Sequence, residues 1–133
     1  MQGETNLSIL LKNMKPTLHA GEYVFCTTNN VTHIDEAEIL MSFKETEGTT
    51  LILKKEIADN HKLQYPFVAA WITLTVHSSL DAVGLTAAFA NALAAENISC
   101  NVVAAYYHDH IFVNSIDAEK AMLVLKNLPK AWQ

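Results

Sequence analysis

The sequence predicts an α+β fold of two ferredoxin-like units in tandem (βαββαβ-type), each with an antiparallel sheet and with helices on one face. Two observations support this prediction. Apolar residues alternate along runs such as EYVFCTT and AWITLTV and follow helical spacing elsewhere. In addition, LMSFKETEGTTLIL (40–53) aligns strand for strand with CNVVAAYYHDHIFV (100–113). We therefore expect two βαββα halves, residues 1–64 with an added N-terminal helix and residues 65–133.

The first half carries a predicted helix, a strand, a polar loop that can hold a turn of helix around Asp35 to Glu38, a hairpin and a second short helix. Leucines at helical spacing predict a helix from about Asn6 that ends before Pro16. The alternating run EYVFCTT predicts a strand. Two further strands in ILMSFKETEGTTLIL are joined by a tight turn at Glu47-Gly48, because glycine accepts a positive φ at little cost. Residues 55–60 are expected to form the second helix.

The second half repeats this order with longer elements. FVAAWITLTVH predicts a strand, residues 82–96 a helix, ISCNVVAAYY and IFV two strands around a turn at HDH, and residues 117–128 the last helix. One face of the first strand is apolar. Its other face carries Phe67, Trp71 and Thr73, and this mixture indicates partial burial against a second sheet or another subunit.

Composition and charge exclude several classes of partner. Half of the chain is apolar and 17% is charged, which is typical of a globular protein. The formal net charge is −5, and all nine basic side chains are lysine. Nucleic acid is therefore not expected as a partner, because its binding normally requires a basic patch. No apolar run approaches the roughly 18 residues that cross a bilayer, so no membrane partner is expected.

Two features predict a cytoplasmic location. Glu4 stands where a secretory signal would carry positive charge. Cys26 and Cys100 both lie in apolar, strand-like runs, so we expect them to be reduced core residues.

The stretch SSLDAVGLTAA (78–88) places Gly84 at the start of a predicted helix. In one interpretation Ser79 or Asp81 caps the helix, and the glycine lets the helix pass close to a neighbouring strand. In the other, the first turn presents free N–H groups, and the missing side chain lets a carboxylate approach them. The absence of arginine favours the second interpretation, because backbone amides are then the most available anion site.

The second half resembles the ACT domain, a small-molecule-sensing module. The similar motifs are SSLDAVGLTAA, ISCN and YYHDHIFV, and with GEYVFCT they resemble a family of small, largely uncharacterised bacterial tandem-ACT proteins over residues 21–117. The resemblance implies a non-catalytic regulatory protein without a cofactor, which binds an amino acid or a similar metabolite where two domains or subunits meet. It also implies a homodimer.

The resemblance further implies a binding site between two domains, made by the loop before the helix of one domain and by the start of the second strand of its partner. Where many family members have a proline before the loop glycine, this chain has Val83. The implied ligand-binding residues are His77, Ser78, Ser79, Leu80, Asp81, Ala82, Val83, Gly84, Ile98, Ser99, Cys100, Asn101 and Val102. Asp81 and the side-chain oxygen of Asn101 are the candidate acceptors for an ammonium group.

Other chemistry has weaker support in the sequence. His108 and His110 flank a carboxylate and are candidate metal ligands, but a third and a fourth ligand are not evident nearby, so no metal is expected. No nucleophile elbow, phosphate loop or dinucleotide fingerprint is present, so no catalytic residue is predicted. The alternative to a metabolite sensor is a structural or protein-interaction module that binds no metabolite.

Overall fold

The structure of the protein is a computed structural model that describes residues 6–76 and 84–131. These residues form four α-helices, seven strands and two 3-10 helices. In chain order the helices and strands are α1 (Leu7–Asn13), β1 (Lys15–Leu18), β2 (Tyr23–Thr28), a 3-10 helix (Glu36–Glu38), β3 (Ile39–Lys44), β4 (Thr49–Lys54), α2 (Lys55–Asn60), β5 (Ala69–Thr75), α3 (Leu85–Ala95), β6 (Asn101–Ala104), β7 (Asp109–Asn114), a 3-10 helix (Ser115–Asp117) and α4 (Ala118–Ala131).

The chain divides into two compact units. The first unit contains the residues up to Ala20 and those from Ala70 onward, and the second contains Gly21–Ala69. The N-terminal helix and strand therefore pack with the C-terminal half of the sequence. The predicted halves, residues 1–64 and 65–133, describe a repeat in the sequence and are not the same division as these two units. That repeat stays a prediction.

The sheet of the first unit has the strand order β1-β5-β7-β6. β1 runs antiparallel to β5, with Lys15 opposite Thr75 and Leu18 opposite Ile72, and β6 runs antiparallel to β7. The N-terminal strand thus supplies the fourth strand that a βαββα unit needs to become ferredoxin-like. The predicted α+β, ferredoxin-like fold is confirmed.

Three helices cover one face of this sheet. Leu10 and Leu11 of α1, Phe89 of α3 and Leu125 of α4 are each at most 1% exposed and share one hydrophobic core with the inward residues of β5 and β7. Burying side chains of this size stabilises the fold by roughly 1.5–3 kcal/mol each. The other face of the sheet faces away from the helices.

The second unit has the strand order β3-β4-β2, all antiparallel, with α2 packed on one face. Its core is formed by Val24, Cys26, Leu51, Leu53 and Ala58 together with Ile34. Between β2 and β3, where a βαββα unit has its first helix, the structure has a loop and a single 3-10 turn. Oδ1 of Asp35 accepts a hydrogen bond from the Ala37 amide over 3.0 Å and caps that turn.

Two local predictions were wrong. The turn between β6 and β7 precedes the predicted HDH, because Asp109 and His110 already belong to β7 and the Ala105 amide bonds the His108 carbonyl over 3.1 Å. The last helix continues through Pro129 to Ala131.

No helix within residues 6–76 and 84–131 is both long and apolar enough to span a membrane.

Candidate functional site

Seven of the predicted ligand-binding residues lie outside the described residues. They are His77, Ser78, Ser79, Leu80, Asp81, Ala82 and Val83. The remaining six, Gly84 and residues 98–102, all belong to the first unit.

Gly84 immediately precedes α3 and has a φ of +97°, which side chains with a Cβ rarely adopt. A Cβ added at this position would lie 3.2 Å from Cδ2 of Leu7 in α1. The left-handed backbone conformation is a sufficient reason for a glycine here, and the approach of Leu7 adds a close contact. The packing interpretation expected a strand as the close neighbour of Gly84, whereas the structure has Leu7 of helix α1 there.

The segment before β6 divides into buried and polar positions. Ile98 is 3% exposed, and Cys100 and Val102 pack against the same hydrophobic core. Burial raises the pKa of the Cys100 thiol to about 11, so the thiol is protonated and unreactive near neutral pH. Ser99 is exposed and Asn101 is half-buried. These two side chains are the polar groups that this segment offers to a ligand.

Asn101 is held by the neighbouring strand. It lies opposite Phe112 in the β6–β7 pair, and its Nδ2 donates a hydrogen bond to the Phe112 carbonyl over 3.2 Å. This bond orients the side-chain amide with its nitrogen toward β7. The side-chain oxygen is the acceptor that Asn101 can offer to an ammonium group.

A histidine–tryptophan cluster, formed by His19, Trp71, Thr73 and His110, occupies the face of the first unit's sheet away from the helices. The rings of His19 and Trp71 are stacked, with centroids 3.6 Å apart. Thr73 is 7% exposed, and its hydroxyl lies 2.6 Å from Nε2 of His19 and 3.0 Å from Nδ1 of His110. Trp71 Nε1 donates to the same Nδ1 over 3.1 Å.

The hydrogen bonds of this cluster determine the protonation of His110. Because the indole N–H can only donate, Nδ1 of His110 must carry a lone pair, and His110 is neutral with its proton on Nε2. If the Thr73 hydroxyl also donates to that Nδ1, it accepts from Nε2–H of His19. Burial lowers the pKa of His110, and nearby His108 and His19 lower it further; burial also lowers the pKa of His19.

The two histidines that were candidate metal ligands are neighbours, with ring centroids 6.5 Å apart. Nδ1 of His108 is buried and has no hydrogen-bond partner in the described part of the chain. Burial raises the pKa of Asp109, against the opposing effect of His108. Among residues 6–76 and 84–131, no three His, Cys, Asp or Glu side chains come together as a metal site.

The sequence analysis missed His19 as a member of this cluster. Trp71 and Thr73 were placed on the outward face of their strand by alternation, and the structure puts them there. His19 follows β1, and the contact between its ring and Thr73 joins residues 54 positions apart. The alternation of Lys15, Thr17 and His19 beside a proline was the only available signal, and it is too short to identify a strand.

Two family models match the chain. One ACT-domain model matches residues 2–70, and a second ACT-domain model matches residues 67–127. Together they span nearly the whole sequence, with the boundary between them close to the predicted start of the second half. No curated protein is similar enough to match.

Several solved structures are similar to this protein. VC0802 from Vibrio cholerae, a protein of unknown function described as a possible transport protein, is 48% identical, with 92% of this chain and 95% of that chain covered and a TM-score of 0.84. Atu0741 from Agrobacterium tumefaciens is 16% identical over 87% of this chain and 89% of that chain, with a TM-score of 0.71. The ligand-free regulatory subunit of aspartate kinase from Thermus thermophilus is 9% identical, with 85% of this chain and 95% of that chain covered and a TM-score of 0.59. The last two share the fold.

Proposed function

Since the chain belongs to the ACT-domain family, we propose that it is a non-catalytic regulatory protein that binds an amino acid or a similar small metabolite. The observation that carries this proposal is the pair of ACT-domain matches over residues 2–70 and 67–127. ACT domains are regulatory modules, and a chain made of two of them has a small-molecule ligand as its most direct use.

The first unit offers two parts of the proposed site, the start of α3 and, beyond the end of that helix, Ser99 and Asn101 at the start of β6, and we propose that the two parts meet between two domains or copies. Nδ2 of Asn101 is bonded to the Phe112 carbonyl, which leaves the side-chain oxygen as the proposed acceptor for an ammonium group. The N–H groups of the first turn of α3 are the proposed partners of a carboxylate, and no side chain caps them from Gly84. Leu7 limits how closely a ligand approaches Gly84 itself.

We further propose that the protein works as a homodimer in the cytoplasm. A second copy would complete a site that one unit forms only in part, as the resemblance to ACT domains implies. Both Cys26 and Cys100 are free thiols in the structure, which supports a reducing compartment.

Thermal unfolding in the presence of each proteinogenic amino acid tests the proposal. A ligand that binds the native state at 100 times its Kd adds about 2.7 kcal/mol to the free energy of unfolding, so the Tm must rise. Asn101→Leu should reduce the ligand-dependent rise, whereas Asn127→Leu, at an exposed position of α4, should leave it unchanged. If no amino acid raises the Tm of the wild-type protein, the assignment of an amino acid as the ligand is wrong.

The second candidate function is a protein-interaction module without a metabolite. It is favoured by Tyr106 and Tyr107 at the turn between β6 and β7, which are 74% and 73% exposed. Large exposed aromatic side chains are typical of interfaces. Two results together would support this candidate. The wild-type protein would bind no metabolite, and the double variant with Tyr106→Ser and Tyr107→Ser would lose binding to a partner or self-association.

A further inference from the structure

A cavity of about 570 Å³ opens in the second unit, away from the residues that the sequence analysis selected. Its volume is within the range of small-molecule sites, about 300–1,000 Å³. The lining residues on which the following argument depends are Tyr23, Glu38, Ile39, Lys54, Glu56 and Ile57.

The cavity lies at one end of the three-stranded sheet. Tyr23 begins β2 and pairs with Lys54 at the end of β4, while Ile39 begins β3 and pairs with Leu53. The start of β2, the start of β3 and the end of β4 therefore lie at the same end of the sheet. Residues of the 3-10 helix and of α2 line the cavity beside these strand ends.

Most of the exposed cavity wall is polar, and its apolar part, the floor, is formed by Tyr23, Ile39 and Ile57. Tyr23 is 6% exposed, and Ile39 and Ile57 are half-buried against the core of the unit. Their exposed surface can take up the hydrocarbon part of a ligand.

Three charged side chains surround this floor, the cation of Lys54 and the carboxylates of Glu38 and Glu56. The neighbouring Lys55 forms an ion pair with Asp59, with Nζ and Oδ2 3.1 Å apart. Among the described residues, no ion pair joins Lys54 to Glu38 or to Glu56. One cation and two carboxylates thus stand around an apolar floor without neutralising one another.

We propose that this cavity is a second binding site, for a small zwitterion with a short apolar chain, the class to which the α-amino acids belong. Lys54 binds the carboxylate, Glu38 and Glu56 bind the ammonium group, and Ile39 and Ile57 contact the chain. The inference rests on the proposed function for the class of ligand, but it assigns a site in the other unit. The surplus of one negative charge favours ligands that are neutral or positive overall.

Isothermal titration with the amino acid that gives the largest rise in Tm tests the assignment. Lys54→Met should weaken binding about tenfold or more, which is about 1.4 kcal/mol. Lys44→Met removes an exposed lysine of the same unit outside the cavity and should bind like the wild type. Glu38→Gln with Glu56→Gln should also weaken binding, with exposed Glu47→Gln as the matched control. Lys54, Glu38 and Glu56 are exposed, so these variants should fold, and far-UV circular dichroism verifies that they do.

Analogues with one charged group test the chemistry of the ligand. The amine without the carboxylate and the acid without the amine should each bind about tenfold more weakly than the zwitterion. Wild-type affinity in Lys54→Met, combined with a loss of binding in Asn101→Leu, would overturn this inference and leave the proposed function intact. No binding to the wild-type protein would overturn both.

Discussion

The indole nitrogen of Trp71 donates a hydrogen bond to Nδ1 of His110 over 3.1 Å, and this bond requires His110 to be neutral. Protonation of Nδ1 would place two N–H groups against each other. The packing of the histidine–tryptophan cluster, on the face of the first unit's sheet away from the helices, therefore depends on pH.

Stability should fall as the pH drops below about 6.5, the ordinary value for histidine. Burial lowers the pKa of His110 in the folded state, so the unfolded chain binds the proton more tightly. The stabilisation is complete above the unfolded pKa and decreases as the pH falls toward the folded pKa. Urea unfolding between about pH 7.5 and about pH 5.5 measures this effect. His110→Gln should reduce the pH dependence. An unchanged pH dependence in His110→Gln would contradict the assignment.

Trp71→Phe should raise the pKa of His110. The phenyl ring keeps an aromatic surface against His19 but lacks the N–H group that favours the neutral imidazole. Loss of one such bond costs about 1 kcal/mol. A proton-detected NMR titration of the His110 ring measures the pKa directly. If the pKa stays the same or falls in the variant, the hydrogen bond does not fix the charge state.

Gly84→Ala should destabilise the protein more than Gly21→Ala. The two glycines have nearly the same φ, +97° and +96°, so both variants carry the penalty for a left-handed backbone, about 1–2 kcal/mol. A Cβ at Gly84 also lies 3.2 Å from Leu7 Cδ2, whereas nothing lies within 4 Å of one at Gly21. Denaturant unfolding of the two variants isolates the Leu7 contact. Equal losses would mean that this contact does not constrain Gly84.

Leu11→Ala should lower the free energy of unfolding by about 2–5 kcal/mol. Leu11 is 1% exposed and lies in the core shared by α1, α3 and α4, so its removal leaves a cavity in the first unit. Ile9→Ala, at a position 43% exposed in the same helix, should cost less than about 1 kcal/mol. Chemical denaturation of both variants compares the two positions. Similar losses would show that α1 does not contribute to this core.

Local sequence patterns predicted most of the helices and strands, but they did not predict the pairing of strands that are far apart in the sequence. Alternation and the turn at Gly48 predicted β3 and β4, and α2 was predicted with the observed bounds. β1 was missed because four residues that include Pro16 carry too little periodicity, and because its partner, β5, is far away in sequence. That pairing decides which strand completes the first unit, and no local signal encodes it.

The candidate site was predictable only in part, for the same reason. The resemblance to ACT domains selected Gly84 and residues 98–102, but their sequence did not reveal that Leu7 packs against Gly84 or that Asn101 bonds the Phe112 carbonyl. The cavity beside Lys54 joins the ends of three strands that are separate in sequence. Only the folded chain brings its charged and apolar residues together.

Isothermal titration of the wild-type protein with the proteinogenic amino acids tests the central claim most directly, because it detects binding at either proposed site. The account predicts saturable heat with a defined stoichiometry for one amino acid or a few chemically related ones. The absence of saturable binding for every amino acid at millimolar concentration would contradict it.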